Sequence, residues 1–151
     1  MKLPSAIACA SALLAGCASV PGPDPAGVTG EWSQQISATA GSSLTLSSAG
    51  QDVLRLACRR NPTDLYLASD RLPAAKGPVR LQIGSHSFTM SPSGEEPRLA
   101  ATSTVPAALP AALMSGAPIE VSAGGRTLGP LPAPEAKTAA AFAIACGGPA
   151  S

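Results

Sequence analysis

His86 is the only histidine of this chain and stands between Ser85 and Ser87. Proton transfer or nucleophilic activation near neutral pH would have to start from it. A Ser-His-carboxylate centre also needs a serine delivered to the ring, an acid behind it and donors for an oxyanion. No G-x-S-x-G elbow is present, and Ser93-Gly94 lies in a loop without one. His86 therefore reads as a polar turn residue. Paired carboxylates are the next candidates, and Glu95-Glu96 is the only adjacent pair. It sits in a proline-flanked loop, Pro92 to Pro97, where both acids are expected to be solvated. Asp64 and Asp70 flank a strand beside turn residues. One histidine and no Asp-rich loop exclude the usual metal sites, so no metal or cofactor is expected. Gly124-Gly125 follows a strand but lacks the spacing and lysine of a phosphate loop, and reads as a hairpin turn. The basic residues carry more. Arg55, Arg59 and Arg80 should point outward from two strands, with Arg60 and Arg71 near their ends. If those strands pair, the three arginines form an anion-binding patch for carboxylates or phosphates, as on peptidoglycan peptides or lipopolysaccharide.

The elements that position these residues follow a period of two. Trp32, Gln34 and Ile36 alternate with polar neighbours, as do Leu44 and Leu46 before a turn at Ala49-Gly50. Leu54, Leu56 and Cys58 alternate with Arg55, Ala57 and Arg59, a half-buried strand with Cys58 on its inner face. Asn61-Pro62-Thr63-Asp64 is a turn, and Leu65-Tyr66-Leu67 a short strand. Residues 78 to 91 read as a hairpin turning at Gly84-Ser85, and Leu99 to Val105 as a further strand. Pro106 to Ser115 places Leu109, Leu113 and Met114 at helical spacing, with Gly116 as a stop. Ile119 and Val121 lead through the glycine turn toward Leu128. The last element is a helix near 134–146, with Pro134 in its first turn, Glu135 at its positive end and Gly147 just beyond it. Ala139, Phe142 and Cys146 share its buried face. These patterns predict an α+β fold: a small antiparallel sheet or sandwich of about seven strands, with a short helix near 106–115 and a C-terminal helix.

Cys17 directly follows Leu14-Ala15-Gly16, which closes an apolar stretch opened by Met1-Lys2. This arrangement resembles a bacterial lipoprotein signal. About 12 apolar residues are too few for a bilayer span, which takes roughly 20, and suit a secretory signal core. The resemblance implies that residues 1–16 are removed and that Cys17 receives the lipid. Three acyl chains would then make the anchor effectively permanent, since each buried methylene contributes about 0.8 kcal/mol. Ala18 stands where an aspartate would resemble an inner-membrane retention signal. The expected location is therefore the outer membrane, periplasm-facing. Residues 17–30, ASVPGPDPAGVTG after the cysteine, form a Pro/Gly-rich tether reaching roughly 40 Å at about 3.1 Å per residue. A single domain is expected over 31–148.

Loss of Lys2 with the signal reduces ten Lys plus Arg to nine, against nine Asp plus Glu. That balance argues against nucleic acid, which needs a basic excess. Aromatics are limited to Trp32, Tyr66, Phe88 and Phe142, so Leu, Ile, Val and Ala must build the core. Cys9 leaves with the signal and Cys17 is lipidated, which leaves Cys58 and Cys146 in an oxidising compartment. A disulfide between them is the economical expectation.

The succession of a tryptophan strand, a cysteine strand, a hairpin, a short helix before IEVSAGG and a final helix ending in cysteine spans residues 31 to 146. As a pattern of elements it resembles two periplasmic groups, the lipoprotein-like accessory proteins of type VI secretion and the invasion-associated locus B-like proteins. Neither group supplies catalytic residues to carry over. The expected function is that of a non-enzymatic, lipid-anchored envelope protein, a binding or scaffold module for another envelope component. The alternative is a lipid-anchored inhibitor of lysozyme or a protease, with the Glu95-Glu96 loop entering a basic partner.

Overall fold

The computed structural model describes residues 28–37, 41–59, 64–94 and 97–147. Among these, nine strands and two helices succeed one another. They are β1 (Glu31–Ser37), β2 (Gly41–Ser48), β3 (Gln51–Cys58), β4 (Asp64–Pro73), β5 (Val79–Ile83), β6 (His86–Pro92) and β7 (Arg98–Thr104), then α1 (Leu109–Met114), β8 (Ile119–Ala123), β9 (Arg126–Leu131) and α2 (Ala136–Ala145). The expected signal segment, Cys17 and residues 17–27 of the tether lie outside the described residues, as do Arg60, residues 61–63 and the Glu95-Glu96 pair.

The fold is α+β as expected, and of the two expected arrangements, sheet or sandwich, it is the single antiparallel sheet, with nine strands where about seven were expected. Its order is β1-β2-β3-β4-β7-β6-β5-β8-β9. The β4–β7 ladder joins the first meander to the second, so no described strands are left to build another layer. The sheet curls into a half-barrel. Its two edges approach each other, because the Trp32 indole N–H donates to the Pro132 carbonyl just past β9 at 2.7 Å. Two-residue turns at Ala49-Gly50, Gly84-Ser85 and Gly124-Gly125 close the β2–β3, β5–β6 and β8–β9 hairpins where expected. Positive φ at Ala49 (51°) and Gly50 (75°) gives the first of these the twist that hairpins favour.

The concave side is the core. Leu44, Leu46, Leu54, Leu56, Leu65, Leu67, Leu81 and Ile83 are fully buried there, each contributing about 1.5–3 kcal/mol. The helices fill the curl. Leu109 and Leu113 of α1 and Ala139 and Phe142 of α2 join the same apolar cluster, and α2 also reaches β1 and β2. Helix α1 is shorter than expected, because the chain first makes a turn in which the Leu109 N–H reaches the Pro106 carbonyl. Helix α2 begins after Pro134, not at it. Glu135 is still extended at ψ 143°, and the buried Pro134 ends the rigid run that Trp32 holds at Pro132. Val28 already packs against the core, three residues ahead of the expected domain start.

Cys58 and Cys146 are joined by a disulfide, with Cα atoms 5.3 Å apart and a sequence separation of 88. It staples the end of α2 to the end of β3. Gly41 lies opposite, at φ 90°, where any Cβ would run into the Cys58 carbonyl. By the chain-entropy argument, closing so long a loop stabilises the fold by roughly 4–5 kcal/mol.

Candidate functional site

The three arginines do not form one stripe. β3, which carries Arg55 and leads to Arg59, and β5, which carries Arg80, are separated by β4, β7 and β6. Arg80 lines a different hollow, of about 230 Å³, with Thr89, Ser122 and the glycine turn. Outward phase was legible in the sequence for all three; the strand neighbours were not. Arg55 and Arg59 remain together on the outer face of β3, where the Arg59 guanidinium lies 5.9 Å from the centre of the Tyr66 ring. At an exposed site such a contact contributes about 0.5–1 kcal/mol.

Arg55 instead joins residues that strand alternation alone does not single out. It faces Ala68 on β4, which faces Ala100 on β7, so an alanine floor runs across these two strands beside it. One row along, Tyr66 rises as a wall opposite Ala57. On the other side stand Asp52, Asp70 and Arg98, and Gly94 closes the β6 side. Together these residues enclose a basin of about 310 Å³. Gly94 comes so close at φ 129° that a Cβ there would lie 2.7 Å from that of Ala100. The Ser93 N–H, donating to the Ala100 carbonyl at 2.8 Å, holds this rim down.

Two bulges, side by side, aim the charged groups into the basin. In β3 the register slips by one residue against β2, so Val53 and Leu54 are both buried. That slip puts Asp52 on the same outer face as Arg55. In β4, Ser69 pairs with Leu99 but the next pairing is Pro73 with Arg98, which leaves residues 70–72 to bulge. Asp70 and Arg71 emerge and Leu72 returns to the core. Ser69 stitches the two bulges together. Its buried hydroxyl donates to the Val53 carbonyl at 2.7 Å and accepts from the Arg71 N–H at 3.2 Å. The Val53 carbonyl and the Arg71 N–H, both at the irregular ladders, thus find their partner in one side chain. The signal for this was faint but present: adjacent apolar Val53-Leu54, and Ser69 and Leu72 three apart, each break a strict alternation.

The charges balance. Arg98 Nε lies 3.4 Å from Asp70 Oδ1, with the side chains 70% and 50% exposed, so the pair contributes at most about 1 kcal/mol. Asp52 Oδ1 accepts from the Ser47 hydroxyl at 3.0 Å. Asp52 and Asp70 also border a second hollow with Gly50, Gln51 and Arg71, so the two depressions adjoin along these carboxylates. His86 stands elsewhere, at the start of β6, its ring stacked 6.3 Å from that of Phe88. Among the described residues no three His, Cys, Asp or Glu side chains are grouped to hold a metal ion. No described helix is long and apolar enough to cross a membrane. The chain matches no protein-family model, no curated protein and no solved structure.

Proposed function

We propose that this chain is a non-enzymatic, lipid-anchored protein of the bacterial envelope, serving as a binding or scaffold module for another envelope component. The ligand-facing surface is the outer face of β3, β4 and β7. One observation carries the choice of surface: paired bulges, joined by a buried serine, gather Asp52, Arg55, Asp70 and Arg98 around an alanine floor. Bulges are conspicuous where a sheet must re-aim side chains toward a partner. The Cys17 signal supports the anchor, and a disulfide joining β3 to α2 suits an oxidising compartment. The likeness to type VI secretion-associated and invasion-associated locus B-like periplasmic proteins belongs to the same reading.

The test is capture of envelope components by the full-length protein, with the basin reversed in charge. Arg55→Glu should abolish capture while Arg80→Glu, in its separate hollow, leaves it intact. Loss on Glu95→Lys with Glu96→Lys, and none on Arg55→Glu, would overturn the reading in favour of an enzyme inhibitor. The anchor is tested separately. Cys17→Ser should leave an unprocessed precursor without lipid label, because serine lacks the thiol that accepts the diacylglyceryl group. Labelled Cys17→Ser protein would refute lipidation at that residue.

A further inference from the structure

We propose that the basin on β3, β4 and β7 binds an amino-acid-type zwitterion, a carbon bearing both an ammonium and a carboxylate. The proposal rests on the binding-module reading above and names the chemistry of its ligand.

The charge arrangement selects the ligand. A simple anion entering beside Arg55 would also meet Asp52 and Asp70; a simple cation would meet two guanidiniums. Only a ligand with both signs a few ångströms apart finds each group opposed by its complement. Arg55 has no ion-pair partner among the described residues, so its guanidinium is free to fork onto a carboxylate over the alanine floor. Tyr66 edges the same space. The exposed Arg98–Asp70 pair is weak enough to be exchanged for ligand contacts. The volume, about 310 Å³, suits one amino-acid unit and not a folded partner.

The second hollow gives the ligand its direction. Asp52 and Asp70 lie on the divide between the two depressions, so an ammonium there sits at the junction. The carboxylate then falls on the Arg55 side, and the rest of the ligand leaves past Gly50, Gln51 and Arg71. Such a group occurs in free amino acids and at the diamino-acid side chain of a peptidoglycan stem peptide. These sources share the recognising chemistry and differ in the chain attached to the zwitterion.

Titration of the full-length protein with free diaminopimelate, a stem peptide carrying it, and forms of that peptide N-acetylated or amidated at the zwitterion separates the cases. The intact stem peptide should bind at least tenfold more tightly than either blocked form. Arg55→Ala should remove the penalty for amidation, and Asp70→Asn should reduce the penalty for acetylation. Arg80→Ala should change neither. Tighter binding of the peptide than of free diaminopimelate assigns the second hollow to the rest of the chain, whereas equal affinity assigns the site to the free amino acid. Equal binding of blocked and unblocked peptides, or no binding of any, would overturn the proposal. Continued Arg55-dependent capture of an envelope component would then leave the binding-module reading standing, and its loss would remove both.

Discussion

The two halves of the sheet use the same residue types differently. In β5, β6, β8 and β9, two-residue turns at Gly84-Ser85 and Gly124-Gly125 close regular hairpins. The register slips only at the outer edge, between Ile119 and Val121. Its outer face carries Arg80, Glu120 and a scatter of hydroxyls such as Ser122 and Thr127, which meet at 3.2 Å in solvent. In β1 to β4 and β7 the ladders slip twice in the interior, and the outer face gathers two arginines and two aspartates in one basin. The disulfide lies in this half as well. Regular pairing spreads charges evenly along a strand, whereas a bulge sets neighbours on one face that alternation would keep apart. In a sheet with few charges, binding is therefore to be sought at the irregular ladders, not at the richest run of arginine.

Removing the disulfide tests this contrast most strongly. Replacing Cys58 and Cys146 together by serine should lower the unfolding free energy by roughly 3–5 kcal/mol in urea titrations. Amide exchange should quicken first in β3 and α2, which the bond joins, and later in β8 and β9. A loss below about 1 kcal/mol would mean that the packing of Phe142 and its neighbours holds the helix without the bond.

Ser69 and Ser122 set one half directly against the other. Ser69→Ala strands the buried Val53 carbonyl and removes the half-buried Arg71 N–H's acceptor, so it should cost about 1–3 kcal/mol and loosen the basin. Ser122→Ala removes only an exposed hydroxyl contact and should stay within about 0.5 kcal/mol. Thermal unfolding of both variants decides it, and equal losses would show that the bulges are not stitched through Ser69.

The smallest expected effect lies at the β2–β3 turn. Ala49 holds φ 51°, a conformation that Asn tolerates better than Ala. Ala49→Asn should raise stability by about 0.5–1 kcal/mol, within the range of compatible turn substitutions, while leaving any basin ligand's affinity unchanged. A fall in melting temperature would show that the turn is held by something other than its backbone preference.

Much of the scaffold was legible residue by residue. The alternation of Leu54, Leu56 and Cys58 against Arg55 and Arg59, the glycine turns and the buried face of Ala139, Phe142 and Cys146 all reappear in the structure. The disulfide followed from two inward cysteines. The basin did not follow, because Arg98 comes from β7, distant in sequence from β3 and β4, and because bulges set Asp52 and Asp70 on the outer face. Asp70 in particular reads as a turn residue until Ser69 and Leu72 are both found buried around it.

What each short segment does is written in its own residues: which side chains face inward, where the chain reverses, where helices replace strands. These are local properties, governed by the two-residue and 3.6-residue repeats and by the backbone freedom of the turn residues. The assembled fold was needed to decide that β4 pairs with β7, that Arg80 is kept from Arg55, and that Trp32 reaches across to Pro132. Pairing partners are chosen by how the inner faces pack together around α1 and α2, and that sum is not contained in any one strand. The bulges belong to the same class. A one-residue slip costs little where a buried hydroxyl satisfies the freed backbone, and it moves a charge to the opposite face.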